Sequence, residues 1–315
     1  IFAQGKWAFA DSQLTSRFYG QFDTIHYQDY RGSMVTIDGN TEGSLSSLSI
    51  DARTNAQAIS FQNIGVKEIT LSVPHWSLSP MEGPINISFT HDRFHYNMQS
   101  ILGFDSSQIS LDSLYFVSPV DTVSGSLTYN FSHSFIQGSL TAATHSLSTF
   151  LPNPQQWFLP LRGKVSFDTV AMKQNIQSNV IIDTVITPFG TSSSLRAKLT
   201  LEDLYGQKNI SAVASTQSFS MGNNTIDTLV LRSDGQFDSL SFLSRLSGDA
   251  GQRFSLNIGG TYISDSSQSH VSLSMLKGMI NSDSCLLQSP LTVFWSKQNL
   301  TVDTLDFLTG NGHIS

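Results

Sequence analysis

The sequence predicts an all-β protein: an elongated, repetitive sheet with few short helices. Three observations carry this. Apolar and polar residues alternate with a period of two over much of the chain. Turn-forming residues interrupt the alternation at short intervals. An Asp-Ser/Thr step between apolar residues recurs at loosely regular spacing.

The alternation is read directly. Ile85, Ile87 and Phe89 alternate with Asn86, Ser88 and Thr90, and Leu127, Tyr129 and Phe131 with Ser126, Thr128 and Asn130. Leu195, Ala197, Leu199 and Leu201 form another row, as do Phe254, Leu256 and Ile258, then Val271 and Leu273. Successive side chains of a strand point to opposite faces, so each run has one apolar and one polar face. That favours an antiparallel sheet wetted on one side over a parallel sheet buried on both. Asp38-Gly39-Asn40, Glu82-Gly83-Pro84, Pro188-Phe189-Gly190, Ser233-Asp234-Gly235, Gly259-Gly260 and Asn311-Gly312 mark turns. The one helical candidate is His145 to Leu151, stopped by Pro152 and too short to stand without packing.

The recurring step occurs at Asp23, Asp112, Asp121, Asp168, Asp183, Asp227, Asp238 and Asp303, each followed by Ser or Thr and flanked by apolar residues. Those apolar residues are three positions apart, so a regular strand would place them on opposite faces. For both to face one side, the step must absorb a residue as a bulge or a bent strand start. Asp and Ser/Thr suit this because their side chains bond nearby backbone N–H groups. First members of paired copies lie 168 − 112 = 56 and 227 − 168 = 59 residues apart, and Asp51 extends the series back by 61. The whole span 1–315 therefore reads as one continuous β-repeat region of a longer chain, with a loose repeat of roughly 55–60 residues, about four to six strands each.

Composition narrows the function. Charged residues make up 13% against about 25% in an average soluble domain, while Ser alone contributes about 50 residues, so small hydroxyls are the expected wet surface. The net charge is −7 and no basic stripe or run of like charge is visible along the chain, which argues against nucleic acid as a partner. Cys285 is the single cysteine, so disulfides do not hold the fold. No apolar run reaches the roughly 20 residues of a membrane-spanning helix. Five Asn-x-Ser/Thr triplets (Asn86, Asn130, Asn209, Asn223, Asn299) are what chance yields in a chain of this composition.

No motif points to catalysis or a cofactor. His91 and His95 have the spacing of a zinc helix, but the strand alternation running from Ile85 would set them about 13 Å apart. Ser274 and Lys277 match a Ser-x-x-Lys motif that works from a helix start, and here they fall on a predicted strand. A carbohydrate-active enzyme would need two apposed carboxylates, and nothing marks such a pair.

Gly138-Ser139-Leu140-Thr141-Ala142, His145 to Leu151, and Leu159-Pro160-Leu161-Arg162-Gly163-Lys164-Val165-Ser166-Phe167 together resemble the bacterial TamB and AsmA-like family. There a strand leads into a short turn of helix and a Leu-x-Gly-x-Val strand opens the next repeat. The resemblance is best over residues 110–245. It implies a β-taco: an open sheet folded lengthwise into a trough with an apolar lining. It also implies a periplasmic, cell-envelope location, with an inner-membrane anchor outside this stretch. The partners implied are phospholipid acyl chains and an outer-membrane barrel protein, and the roles implied are phospholipid transport and outer-membrane protein assembly. The alternative is a structural or adhesive secreted β-solenoid, as in an autotransporter passenger, with a closed core and a period nearer 20–30 residues.

The residues' own pattern supplies the candidate lining: Leu114 and Phe116, Val170 and Met172, Leu229 and Leu231, Leu240 and Phe242, Leu305 and Phe307. Each pair follows an Asp-Ser/Thr step. A sheet with one continuous apolar face must bury it against something. No charged site is needed for acyl chains to fill it, at about 0.8 kcal/mol per CH₂.

Overall fold

The structure, a computed structural model, describes residues 2–44, 46–61, 64–91, 94–145, 160–188, 190–264, 269–295, 300–303, 306–309 and 312–314. Among these every regular element is a strand, so the all-β expectation holds. The expected helical turn at His145–Leu151 lies, from residue 146 on, outside the described residues. Two compact units divide at Ala142/Ala143, a boundary that the spacing of the Asp steps does not mark.

The first unit is built from β1 (Phe2–Ala10), β2 (Gln13–Tyr27), β3 (Tyr30–Gly43), β4 (Ser49–Phe61), β5 (Ile64–Leu78), β6 (Met81–His91), β7 (Phe94–Phe104), β8 (Gln108–Val117), β9 (Asp121–Asn130) and β10 (Phe135–Thr144). Each strand pairs with the next in sequence, an antiparallel meander. Tight turns make this possible. Asp11 and Ser12, between β1 and β2, both adopt positive φ, as a two-residue turn matched to strand twist requires.

The second unit begins with β11 (Leu161–Val170) and β12 (Lys173–Ile182), followed by a small hairpin of β13 (Val185–Thr187) and β14 (Gly190–Ser192). It continues through β15 (Ser194–Glu202), β16 (Asn209–Met221), β17 (Asn224–Gln236), β18 (Ser239–Asp249), β19 (Arg253–Ser264) and β20 (Ser269–Ile280). Last come β21 (Asp283–Leu287), β22 (Leu291–Trp295), β23 (Leu300–Val302), β24 (Phe307–Thr309) and β25 (Gly312–Ile314). The main ladder runs β11, β12, β15, β16, β17, β18, β19, β20, antiparallel throughout. Then it forks: one half of β20 pairs with β21 and the other with β22. Neither sheet closes into a barrel. Among the described residues, β1 pairs only with β2, and β25 only with β24.

The Asp-Ser/Thr steps behave in three ways. At Asp112 and Asp227 they are bulges: the register slips between Leu111 and Leu114 and between Ile226 and Thr228. At Asp121, Asp183 and Asp238 they stand just at or before a strand start. The Asp121 N–H is held by Ser118 Oγ at 2.9 Å. Asp23 and Asp168 lie in strands whose register is unbroken. Asp51 caps a bulge on the neighbouring strand. His75 adopts φ +50 opposite it and donates its N–H to Asp51 Oδ1 at 2.9 Å.

Full burial is scarce. The buried apolar side chains among the described residues are Val35, Ala56 and Ile85 in the first unit, and Ile182, Val185 and Cys285 in the second. A two-layer domain of this length would bury far more. Most residues of the apolar faces are half-buried, covered by neighbours in the same sheet.

Candidate functional site

The candidate site is the apolar face of each sheet, and the ladder registers define it. In the first unit one transverse row passes through Ile37, Thr54, Leu71, Ile87, Met98 and Phe116, strand by strand from β3 to β8. Phe116 then pairs with Val123 on β9. The Tyr96 ring stacks between Phe89, with centroids 5.0 Å apart, and Phe116, at 5.7 Å. Further along the face Leu102, Ile109, Leu111, Leu127 and Ile136 line an apolar cleft of about 230 Å³.

Four of the rows that cross the second unit run through predicted lining residues. Leu161, Ile182, Leu195 and Thr216 lead to Leu229, which pairs onward with Leu246 and that with Leu256. Val180, Ala197 and Ala214 lead to Leu231, then Ser244 and Ile258. Leu199 and Ala212 lead through Ser233 to Phe242, then Gly260 and Leu273. Phe167, Ile176, Leu201 and Ile210 lead through Gly235 to Leu240, Tyr262 and Val271. No charged side chain occurs in any of the four rows.

Large and small residues are matched across strands. Phe242 lies opposite Gly260, and a Cβ at Gly260 would sit 3.1 Å from the Phe242 ring and 2.2 Å from the Ser272 carbonyl oxygen. The ring thus covers the glycine backbone of the next strand. Phe18 covers Gly39 in the first unit in the same way.

The structure places the predicted lining residues unequally. Leu114 and Phe116 share the apolar face of β8. Leu229, Leu231, Leu240 and Phe242 lie in the four rows of the second unit. Leu231 keeps 41% of its surface exposed, and Leu199, in the next row and two strands away, keeps 39%. Val170 and Met172 are not brought into the face. Asp168 pairs in register with Asn175, so no residue is absorbed and Val170, opposite Lys173, points to the polar side. Met172 sits in the two-residue turn with Ala171, at φ 61 and 50, and is 62% exposed. Leu305 lies outside the described residues, and Phe307 is paired with Leu287 in β24.

Leu246 and Leu276 on this face, and Met98 in the first unit, are residues that the sequence reading did not single out. They follow no Asp step; Leu246 and Met98 sit in the alternation, whereas the bulge at Ser274 brings Leu276 to the face where unbroken alternation would put Met275. Among the described residues no three His, Cys, Asp or Glu side chains gather as metal ligands. The alternation sets His91 and His95 on one continuous strand, and here the structure differs: they lie on two strands. His91 ends β6, and His95 faces Thr90 from β7 across the hairpin. His91 Nδ1 instead approaches the Gly65 carbonyl at 2.8 Å. Ser274 and Lys277 do lie in a strand, with Ser274 as the extra residue of a bulge opposite Gly259/Gly260.

The fold and these faces amount to an antiparallel β-sheet protein with an apolar and a polar face, the four rows traced in the second unit carrying no charge. In comparisons with family models, curated proteins and solved structures, none matches this chain.

Proposed function

We propose that this chain is a non-enzymatic cell-envelope protein whose apolar face forms a hydrophobic groove for phospholipid acyl chains. It serves phospholipid transport between inner and outer membranes, the support of outer-membrane protein assembly, or both. The observation that carries this reading is the succession of four uncharged rows in the second unit, with Leu231 and Leu199 left over a third exposed. A contiguous apolar surface of that extent on a soluble protein marks a binding face. Acyl chains suit it because they need no charge or directional partner, and each buried CH₂ contributes about 0.8 kcal/mol. A periplasmic location, a membrane anchor outside this stretch and an outer-membrane barrel partner follow from the TamB/AsmA-like resemblance and belong to the same proposal.

Native mass spectrometry of the purified chain, with lipid extraction of the same sample, tests it. Phospholipid should co-purify and be lost in Leu229→Asp and Phe242→Asp variants that keep their β circular-dichroism spectrum. A folded, lipid-free protein would instead favour a structural or adhesive β-sheet role.

A further inference from the structure

We propose that the second unit docks on an anionic phospholipid membrane through a band of cations crossing its polar face. The register places the band. Arg162 pairs with Ile181, Ile181 with Arg196, and Arg196 with Ser215. The same row continues through Val230 to Arg245, then Asn257 and Lys277. Two residues along each strand runs a second row: Lys164, Asn179, Lys198, Val213, Arg232 and Leu243. Seven cations thus occupy two adjacent rows across eight strands, roughly 35 Å of sheet at about 4.8 Å per strand.

All seven are exposed. Arg162 pairs with Asp183 at one end of the band. Arg245 Nε donates to Asn257 Oδ1 at 3.2 Å. Among the described residues Lys164, Arg196, Lys198, Arg232 and Lys277 have no ion-pair or hydrogen-bond partner. Like charges brought together on one face of a sheet repel. Their concentration here, in a chain of net charge −7, makes this face complementary to a fixed anionic surface. No such stripe is visible along the chain because successive members are up to 34 residues apart (232 − 198) and only strand pairing collects them.

The residues between the cations identify the occupant. Ile181, Val213, Val230 and Leu243 stand within the rows, Val213 and Leu243 being 39% and 47% exposed, and neither row holds an aromatic residue. Val230, Arg232, Leu243, Arg245 and Asn257 line a depression of about 180 Å³. Cations for headgroup phosphates beside aliphatic side chains for the acyl boundary are the pattern of an interfacial membrane surface. A groove for single-stranded nucleic acid would supply aromatic rings for base stacking.

The test is co-sedimentation of the full chain with vesicles of phosphatidylcholine alone, or of equal parts phosphatidylcholine and phosphatidylglycerol. Binding should require phosphatidylglycerol, weaken as salt screens the charges, and fall roughly five-fold per cation removed in a Lys198→Gln, Arg232→Gln, Arg245→Gln series of unchanged circular dichroism. The triple variant should carry the same amount of co-purifying phospholipid as the wild type, which separates this proposal from the acyl-chain groove. Three results would each overturn it: equal binding to neutral vesicles, wild-type binding by the triple variant, or preferential binding of single-stranded DNA over the anionic vesicles.

Discussion

Leu111 and Leu114 are three positions apart in β8 yet belong to one face of the sheet. Leu111 pairs with Leu127 and Leu114 with Gly125, while Ser113 turns to φ +53 and the register slips between them. Ser100 Oγ, on β7, donates to the Asp112 carbonyl at 2.9 Å and so satisfies an acceptor that the bulge takes out of the ladder. This relation lets an Asp-Ser step keep apolar residues on both sides of it in one lining.

The bulge makes Ser113 sensitive to side-chain shape. The left-handed conformation costs an ordinary residue about 1–2 kcal/mol and a β-branched one more. Ser113→Gly should lie within about 0.5 kcal/mol of wild type, because relief of strain is offset by glycine's larger loss of entropy. Ser113→Val should be less stable than Ser113→Gly by about 2 kcal/mol, measured by urea denaturation. Equal midpoints for the two variants would show that the bulge is not held.

The Phe242–Gly260 pair predicts a second asymmetry. A methyl group at Gly260 meets the Ser272 carbonyl oxygen at 2.2 Å, whereas one at Gly65 meets nothing within 4 Å. Gly260→Ala should therefore cost about 2 kcal/mol or more and Gly65→Ala less than about 0.5 kcal/mol. Thermal melts of both variants followed by far-UV circular dichroism check this.

Cys285 sits in the apolar face with 2% of its surface accessible. Burial, and secondarily the charge of Asp283, pushes its thiol pKa up. The folded chain should resist iodoacetamide at neutral pH and react at once in denaturant. Because the folded pKa is raised, the associated stability is present below the unfolded thiol's pKa and is lost as pH rises through the folded value. Rapid alkylation of the native protein would contradict the placement.

Asp105 gives the opposite pH sign. Its carboxylate accepts hydrogen bonds from Ser107 Oγ at 2.7 Å, Ser107 N at 2.6 Å and Gln108 N at 2.9 Å, closing the turn between β7 and β8. The Ser107 hydroxyl, then the Ser107 N–H, lower its pKa against a weaker upward push from burial. The turn's contribution is present above the unfolded carboxyl pKa and is lost as pH falls through the lower folded one. Ser107→Ala should move the Asp105 titration, followed by carboxyl-carbon NMR, toward the ordinary value.

The alternation of Leu195, Ala197, Leu199 and Leu201 was enough to read a strand and its apolar side, because a period of two is a property of one strand alone. The Asp step was only half legible. Asp112 and Asp168 look alike in sequence, but whether a residue is absorbed depends on the partner strand. β12 matches β11 residue for residue at Asp168, which turns Val170 to the polar side. Met172 stays off the face because the turn begins immediately after Val170. The cation band was not legible at all. Arg162, Arg196 and Arg245 become row-mates only through pairings that hairpin lengths decide, and no window of sequence contains them together.

Single phospholipid molecules are proposed to lay their acyl chains on the apolar face, the polar face meeting only the surface of an anionic bilayer. Leu231 and Val230 are adjacent in β17 and point to opposite faces. A photo-crosslinking amino acid placed at each site in turn, with monomeric zwitterionic phospholipid added to the purified chain, tests the claim most directly. Lipid adducts are expected from position 231 and none above background from position 230. Equal labelling at the two positions, or labelling at 230 alone, would contradict it.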